Sequence, residues 1–342
     1  MKPTARFLVF AALVIPSPGL AQGLFKRNEP LEITITTALS KLIRDRDSTD
    51  RVLHGGELSY KDSSGTEVKV AISMRTRGHF RRQARNCDFP PLKVEMTKPA
   101  AKNTVFEGNR TLKLASSCRP SSRDYEQYML QELAVYRMYQ TLTPWSYRTR
   151  LAHVTYQDST GKAKPVESWG FFVEDDGDLA QRRDARKFET KGAAFEDLEP
   201  EKSGLMQLFA YMVGGTDWSV SGLHNVTLLR DSVGIVHAVP YDFDWTGAVD
   251  PRYAFPDKSL PIPNVRTRLW RGECRTVEAW APTFERFIAK RAAMDSAYTT
   301  LAPMMTPSVT EKMRKYFAEF WPMLDNPKKL VAEFKRVCKE RN

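Results

Sequence analysis

Two hydrophobic periods divide the chain. Residues Leu31-Glu32-Ile33-Thr34-Ile35-Thr36 alternate, and Val68, Val70, Ile72 and Met74 share one face while Lys69 and Ser73 take the other, the period-2 signature of strands. Ser63-Ser64-Gly65, between Leu58–Tyr60 and Val68, predicts a hairpin turn. Short strands are expected at Leu92–Met96 and Thr111–Ala115. The period then turns helical: Tyr125, Met129, Leu133 and Tyr136 fall on one face, and Ser121 followed by Asp124 supplies a capping start. Strand patterning returns at Arg150–Tyr156 and Ser168–Val173.

The acidic run Glu174-Asp175-Asp176-Gly177-Asp178 separates this half from a helix-rich one, so the expected organisation is a β-rich unit over 22–174 and a helical unit over 175–342. In the second unit Leu205, Leu208, Phe209 and Met212 form a helical stripe that Gly214-Gly215 stops. Strands are expected at Asn225–Leu229 and Ile235–Val239. Three helical segments punctuated by Pro303, Pro307 and Pro327 should follow Arg275. The fold class on this pattern is α+β.

Composition removes several classes. With 342 residues, 42% hydrophobic and 27% charged, the chain is neither a disordered tail nor a polytopic membrane protein. Residues 1–21 read as an export leader: Lys2 and Arg6 are followed by the apolar run Phe7–Ile15 and the site Gly19-Leu20-Ala21, with cleavage expected after Ala21. A periplasmic or secreted product follows, and loss of Lys2 and Arg6 takes the net charge from +11 to +9. Four cysteines without a CxxC then suggest structural disulfides. Of the three connectivities, nearest-neighbour pairing gives Cys87–Cys118 and Cys274–Cys338. The basic balance, in an exported chain, suits anionic envelope surfaces or acidic substrates rather than nucleic acid.

The stretch from Gly214 to Asp244 carries the chemistry. A polar loop with Asp217 and Asn225 leads into two short strands that end at Tyr241-Asp242-Phe243-Asp244. A hairpin brings its ends together, so Asp217, Asn225 and Asp242 are expected to converge. Oxygen ligands suit Mg²⁺ or Mn²⁺, which are commonly shared between one or two carboxylates and substrate phosphates. Phosphoryl transfer asks for little beyond such a metal, a positioned base and a cationic clamp. An isolated Asp-x-Asp is more often a pair of turn carboxylates; Asp217 and Asn225 bring the metal reading level with that one. His224 and His237 flank the region, but neither HExxH nor Gly-x-Ser-x-Gly is present, which ranks zinc and serine hydrolysis low.

On these residues the chain resembles the CotH family of secreted atypical kinases. Thr216-Asp217-Trp218 and Val239-Pro240-Tyr241-Asp242-Phe243-Asp244-Trp245 are the closest local matches, with Arg77-Gly78, Leu92-Lys93-Val94, Leu112-Lys113-Leu114 and Phe171–Glu174 fitting the first half. The resemblance implies a two-lobed protein-kinase-like fold, with an antiparallel β-rich N-lobe holding one long helix and a mainly helical C-lobe. It also implies ATP or another nucleotide, Mg²⁺ or Mn²⁺, and a protein or small-molecule acceptor. Asp217 then stands where the acceptor proton is taken, and Asn225, Asp242 and Asp244 bind metal. Lys93 or Lys113 faces phosphate, held by Glu132 or, failing that, Glu126. Arg77 and Gly78 occupy the phosphate-loop position, and Glu174 the hinge. The pattern departs from the kinase one: Gly215-Thr216 precedes Asp217, Asn225 lies eight residues on, and no Gly-x-Gly-x-x-Gly occurs. A non-catalytic envelope or coat binding protein, or a metal-dependent glycosyltransferase using Asp-x-Asp, are the competing expectations.

Overall fold

The computed structural model describes residues 23–46, 49 and 52–338, so the expected leader lies outside the described residues. Seven strands form the first layer: β1 (Leu31–Thr37), β2 (His54–Lys61), β3 (Glu67–Thr76), β4 (Leu92–Glu95), β5 (Thr111–Ser116), β6 (Thr149–Asp158) and β7 (Val166–Glu174). They close into a barrel in the order β1-β2-β3-β4-β5-β7-β6. Every pairing is antiparallel except the closure, where β1 runs parallel to β6 from Leu31 beside Ala152 to Thr37 beside Asp158. The alternation of the sequence sets the faces: Ile33, Ile35, Leu58, Val70, Leu92, Leu112, Val154 and Phe172 fill the interior, while Arg75, Lys93 and Lys113 lie in one cross-strand row on the outside.

This closed mixed barrel corrects the expectation of a two-lobed kinase-like fold with an antiparallel N-lobe. Local periodicity identified the strands but carries no information on a parallel partner more than a hundred residues away, and that pairing is what closes the sheet. After two short helices, α1 (Leu39–Arg44) and α2 (Lys98–Ala101), helix α3 (Arg123–Leu142) packs outside the barrel, where its Met129, Leu133 and Tyr136 join Leu151, Phe171 and Val173. That cluster continues into α5 (Pro200–Val213) and α6 (Val277–Thr299). The barrel interior is a separate cluster.

A second sheet of three antiparallel strands, β8 (Ala185–Lys187), β9 (Val226–Asp231) and β10 (Val236–Pro240), follows α4 (Asp176–Arg182). Helices α7 (Pro307–Ala318), α8 (Trp321–Leu324) and α9 (Pro327–Val337) complete the chain. Both disulfides join nearest neighbours: Cys87 to Cys118, which ties the excursion after β3 to the end of β5, and Cys274 to Cys338, which ties the end of α9 to the segment before α6. Among the described residues no helix is long and apolar enough to cross a membrane.

Candidate functional site

Helix α5 ends where Gly214 takes φ +68°, and a Cβ there would lie 2.2 Å from the Tyr316 hydroxyl, so only glycine fits. The following loop is closed by paired backbone bonds between Ser219 and His224, each 2.9 Å. It places the Asp217 carboxylate 2.9 Å from His224 Nε2, and Asn225 Nδ2 donates to the Asp217 carbonyl at 2.7 Å and its carboxylate at 3.2 Å. Pairing of Val226 with Pro240 brings the two ends of the hairpin together, and Tyr241 N donates to Asn225 O at 3.0 Å. Asp217, Asn225 and Asp242 therefore line one pocket, walled by Phe209, Trp218, Tyr241 and Trp245. Its interior is narrow, a cavity of ≈ 30 Å³. That admits an ion or a water, whereas a nucleobase would have to lie outside it.

Both Asn225 (φ 53°) and Asp242 (φ 60°) are held in the left-handed region, which asparagine and aspartate tolerate better than other side chains. For Asp242 the constraint comes from α3: its backbone N–H donates to the Tyr136 hydroxyl at 2.8 Å. Asp244 is buried, and Tyr253 donates to it at 3.2 Å.

Glu132 of α3 completes an acidic cluster with Asp242 and Asp244, one oxygen of each lying within 4.8 Å of the others. The cation inside this cluster is Arg81, nine-tenths buried. It reaches Glu132 and Asp242 at 3.4 Å each and Asp244 at 3.3 Å. Burial opposes its charge, but Asp244 and Glu132 outweigh burial and hold the guanidinium well above its ordinary range. One cation does not satisfy three acids. Burial, with the neighbouring acids adding to it, raises Glu132 to about 8 and Asp244 to about 6 against the counter-pull of Arg81.

The lysines expected beside Glu132 are elsewhere. Lys93 pairs with Glu95 at 3.3 Å on the barrel surface. Lys113 binds Asp176 at the start of α4, with Tyr147 and Tyr241 rings 4.8 and 5.4 Å from its ammonium. Tyr147 also donates to Asp176, at 2.8 Å, and Lys187 approaches that carboxylate at 3.7 Å. Burial first, then the charge of Arg77, lowers the Lys113 pKa although Asp176 favours the ammonium. Arg77, the residue after β3, donates its backbone N–H to Pro91 O at 2.8 Å, while its side chain has no hydrogen bond or ion pair among the described residues. Its charge is felt both at Lys113 and at Glu132. Gly78 next to it is exposed with φ +85°. Glu174 is wholly enclosed: Arg148 and Arg182 bind its carboxylate at 2.7 and 2.9 Å, and its backbone N–H donates to Arg148 O.

The sequence pattern puts Arg77 at the phosphate-loop position and does not single out Arg81, although Arg75, Arg77, Arg81 and Arg82 crowd that stretch. The usable signal was indirect, since a buried helix carboxylate requires a cation and an Arg-rich loop is one source of it. Phe80 carries Arg81 inward by packing on Trp245 (5.1 Å) and Tyr253 (5.8 Å). Comparisons with known proteins found no matching family model and no matching curated protein.

Proposed function

We propose that this chain is a metal-dependent phosphotransferase that moves a phosphoryl group from a nucleotide such as ATP to a hydroxyl acceptor. The observation that carries the reading is a pair of adjoining clusters with opposite charge imbalance. On one side Glu132, Asp242 and Asp244 surround a single guanidinium; on the other Lys113 and Lys187 share Asp176. Arg77 lies within charge-interaction range of both sides. A polyphosphate carrying a divalent cation has the complementary distribution, with metal toward the acids and phosphate oxygens toward the bases.

The donor set fits Mg²⁺ or Mn²⁺. Arg81 engages Asp242 through Oδ1 and Asp217 engages Asn225 through Nδ2, so Asp242 Oδ2 and Asn225 Oδ1 have no donor among the described residues. Two protein oxygens are what such ions typically take when substrate phosphates supply the rest. The ion would neutralise charge on the transferring group. Asp217, oriented by His224 and Asn225, is the base that accepts the acceptor's proton, and Lys113 and Arg77 hold phosphate oxygens. The local resemblance of the Asp217 and Asp242 segments to CotH proteins points the same way.

The test uses purified chain, ATP labelled in its terminal phosphate, and Mn²⁺ or Mg²⁺. Label should pass to the chain itself or to a generic acceptor. Asp242→Asn, which keeps a side chain tolerant of positive φ, should abolish transfer; persistence of labelling in that variant overturns the reading. A nucleotide sugar donating in place of ATP would move the chain to the glycosyltransferases.

A further inference from the structure

A groove of ≈ 1230 Å³ runs beside the Cys274–Cys338 disulfide, lined by Phe195, Leu260, Trp270, Arg271, Lys335 and Val337 among others. Its floor is rigid. Trp270 is buried, stacks on Phe334 with ring centroids 3.7 Å apart, and donates to Glu273 O at 3.2 Å. A Cβ at Gly272 would lie 2.3 Å from Gln207 Oε1 and 2.4 Å from the Trp270 ring, so the backbone presses directly on that floor. The walls are exposed and mixed, with Val337 41% exposed.

Two contacts join this groove to the candidate base. Arg271 Nη1 donates to the backbone carbonyl of Thr216, the residue before Asp217. Phe195 packs on Trp218, the residue after it, at 6.1 Å. Charge is unevenly compensated along the groove. Glu273 is held by Arg275 and by Gln207 Nε2 at 2.6 Å, whereas neither Arg271 nor Lys335 has a carboxylate within ion-pair distance among the described residues.

We propose that the groove binds the acceptor as an extended polypeptide segment that is acidic with interspersed apolar residues, and delivers its hydroxyl to Asp217. Acidic side chains meet Arg271 and Lys335, and apolar ones meet Leu260 and Val337. The acceptor's role rests on the phosphotransferase reading; the binding itself does not.

The probe is a fluorescein-labelled peptide of Asp, Glu and Leu with one Ser, titrated with the oxidised chain and followed by anisotropy. It should bind about tenfold more tightly than a counterpart with Lys replacing Asp and Glu. Lys335→Glu, an exposed position, should weaken binding about fivefold or more, and Asp242→Asn should leave it unchanged. Binding that survives Lys335→Glu overturns the proposal. So does inorganic polyphosphate of equal charge competing as well as unlabelled peptide, since that outcome reduces the groove to generic positive charge. A peptide that binds in this pattern while neither it, the chain itself nor a generic acceptor takes label keeps the groove and removes the phosphotransferase reading; phosphate transfer to other acceptors with no peptide binding does the reverse.

Discussion

Two buried arginine–carboxylate knots in this molecule have opposite stoichiometry. At the end of β7, one carboxylate meets two guanidiniums: Glu174 takes Arg148 at 2.7 Å, Arg182 at 2.9 Å and the Arg148 backbone N–H at 3.2 Å. In the cleft one guanidinium meets three carboxylates, none nearer than 3.3 Å. The first knot is satisfied at ordinary charge-assisted distances and staples the start of β6 to α4. The second is loose and short of positive charge. Burial of an ion pair therefore does not distinguish site from scaffold here; the uncompensated surplus of acid does, because it can be relieved by protons or by a metal ion, and the Glu174 knot has no such demand.

Removing the central group of each knot should separate them most strongly. Arg81→Met strands three acids and should cost about 3–5 kcal/mol near pH 8, with the loss shrinking toward pH 5 as Glu132 and Asp244 take up protons. Glu174→Gln leaves arginines that reach water, so about 1.5–3 kcal/mol is expected, with little change across the same pH range. Urea unfolding at the two pH values measures both. Equal pH dependence in the two variants would remove the distinction.

The Arg81 knot is also tethered where the other is not. Cys87–Cys118 closes a loop of 31 residues that begins shortly after Arg81, and the double Cys→Ser variant should lose about 3–4 kcal/mol on chain-entropy grounds. Under mild reduction the Arg81 cluster should loosen first, which hydrogen exchange at Phe80–Arg82 would register, while the amides around Glu174 stay protected.

A smaller effect should appear in the unmodified protein as pH is varied. Glu132 rises from 4.5 to about 8 and Asp244 from 3.8 to about 6 on folding, so between those limits the folded state binds more protons than the unfolded one. Their contribution is present at low pH and is lost as pH rises, through about 6 for Asp244 and about 8 for Glu132. The melting temperature should thus fall from pH 5 to 8. Glu132→Gln should flatten that slope, and Mn²⁺ with ATP should raise the melting temperature most at the alkaline end. A slope unaltered by Glu132→Gln would assign it to other groups.

How much of this the sequence disclosed depends on the range of the interaction. Alternation at Leu31–Thr36 and Val68–Met74 located β1 and β3, and the Gly214-Gly215 stop with the following hairpin brought Asp217, Asn225 and Asp242 to one pocket, because each step spans few residues. Closure of the barrel was not legible, since Leu31–Thr37 has the same pattern whether its neighbour is parallel or antiparallel. Nor was the partner of Glu132. Strand position made Lys93 and Lys113 the natural candidates, and only the fold of the loop after β3, fixed by Phe80 packing and a disulfide, turns Arg81 inward.

Those two lysines give the least dramatic separation and the most specific one. They are direct cross-strand neighbours on the outer face of β4 and β5, so chain position alone makes them equivalent. Their surroundings do not: Lys93 is a surface partner of Glu95, while Lys113 lies between Asp176 and two tyrosine rings, where burial and Arg77 lower its pKa. An arriving phosphate would offset that opposition to the ammonium, so ATP binding should draw a proton onto any deprotonated Lys113. Lys113→Met should weaken ATP about tenfold, followed by tryptophan fluorescence. Lys93→Met should shift stability by no more than about 0.5 kcal/mol and leave ATP affinity within about twofold. Equal losses of affinity in the two variants would mean that the whole outer row of the barrel, rather than the Lys113–Arg77 end of it, meets the polyphosphate.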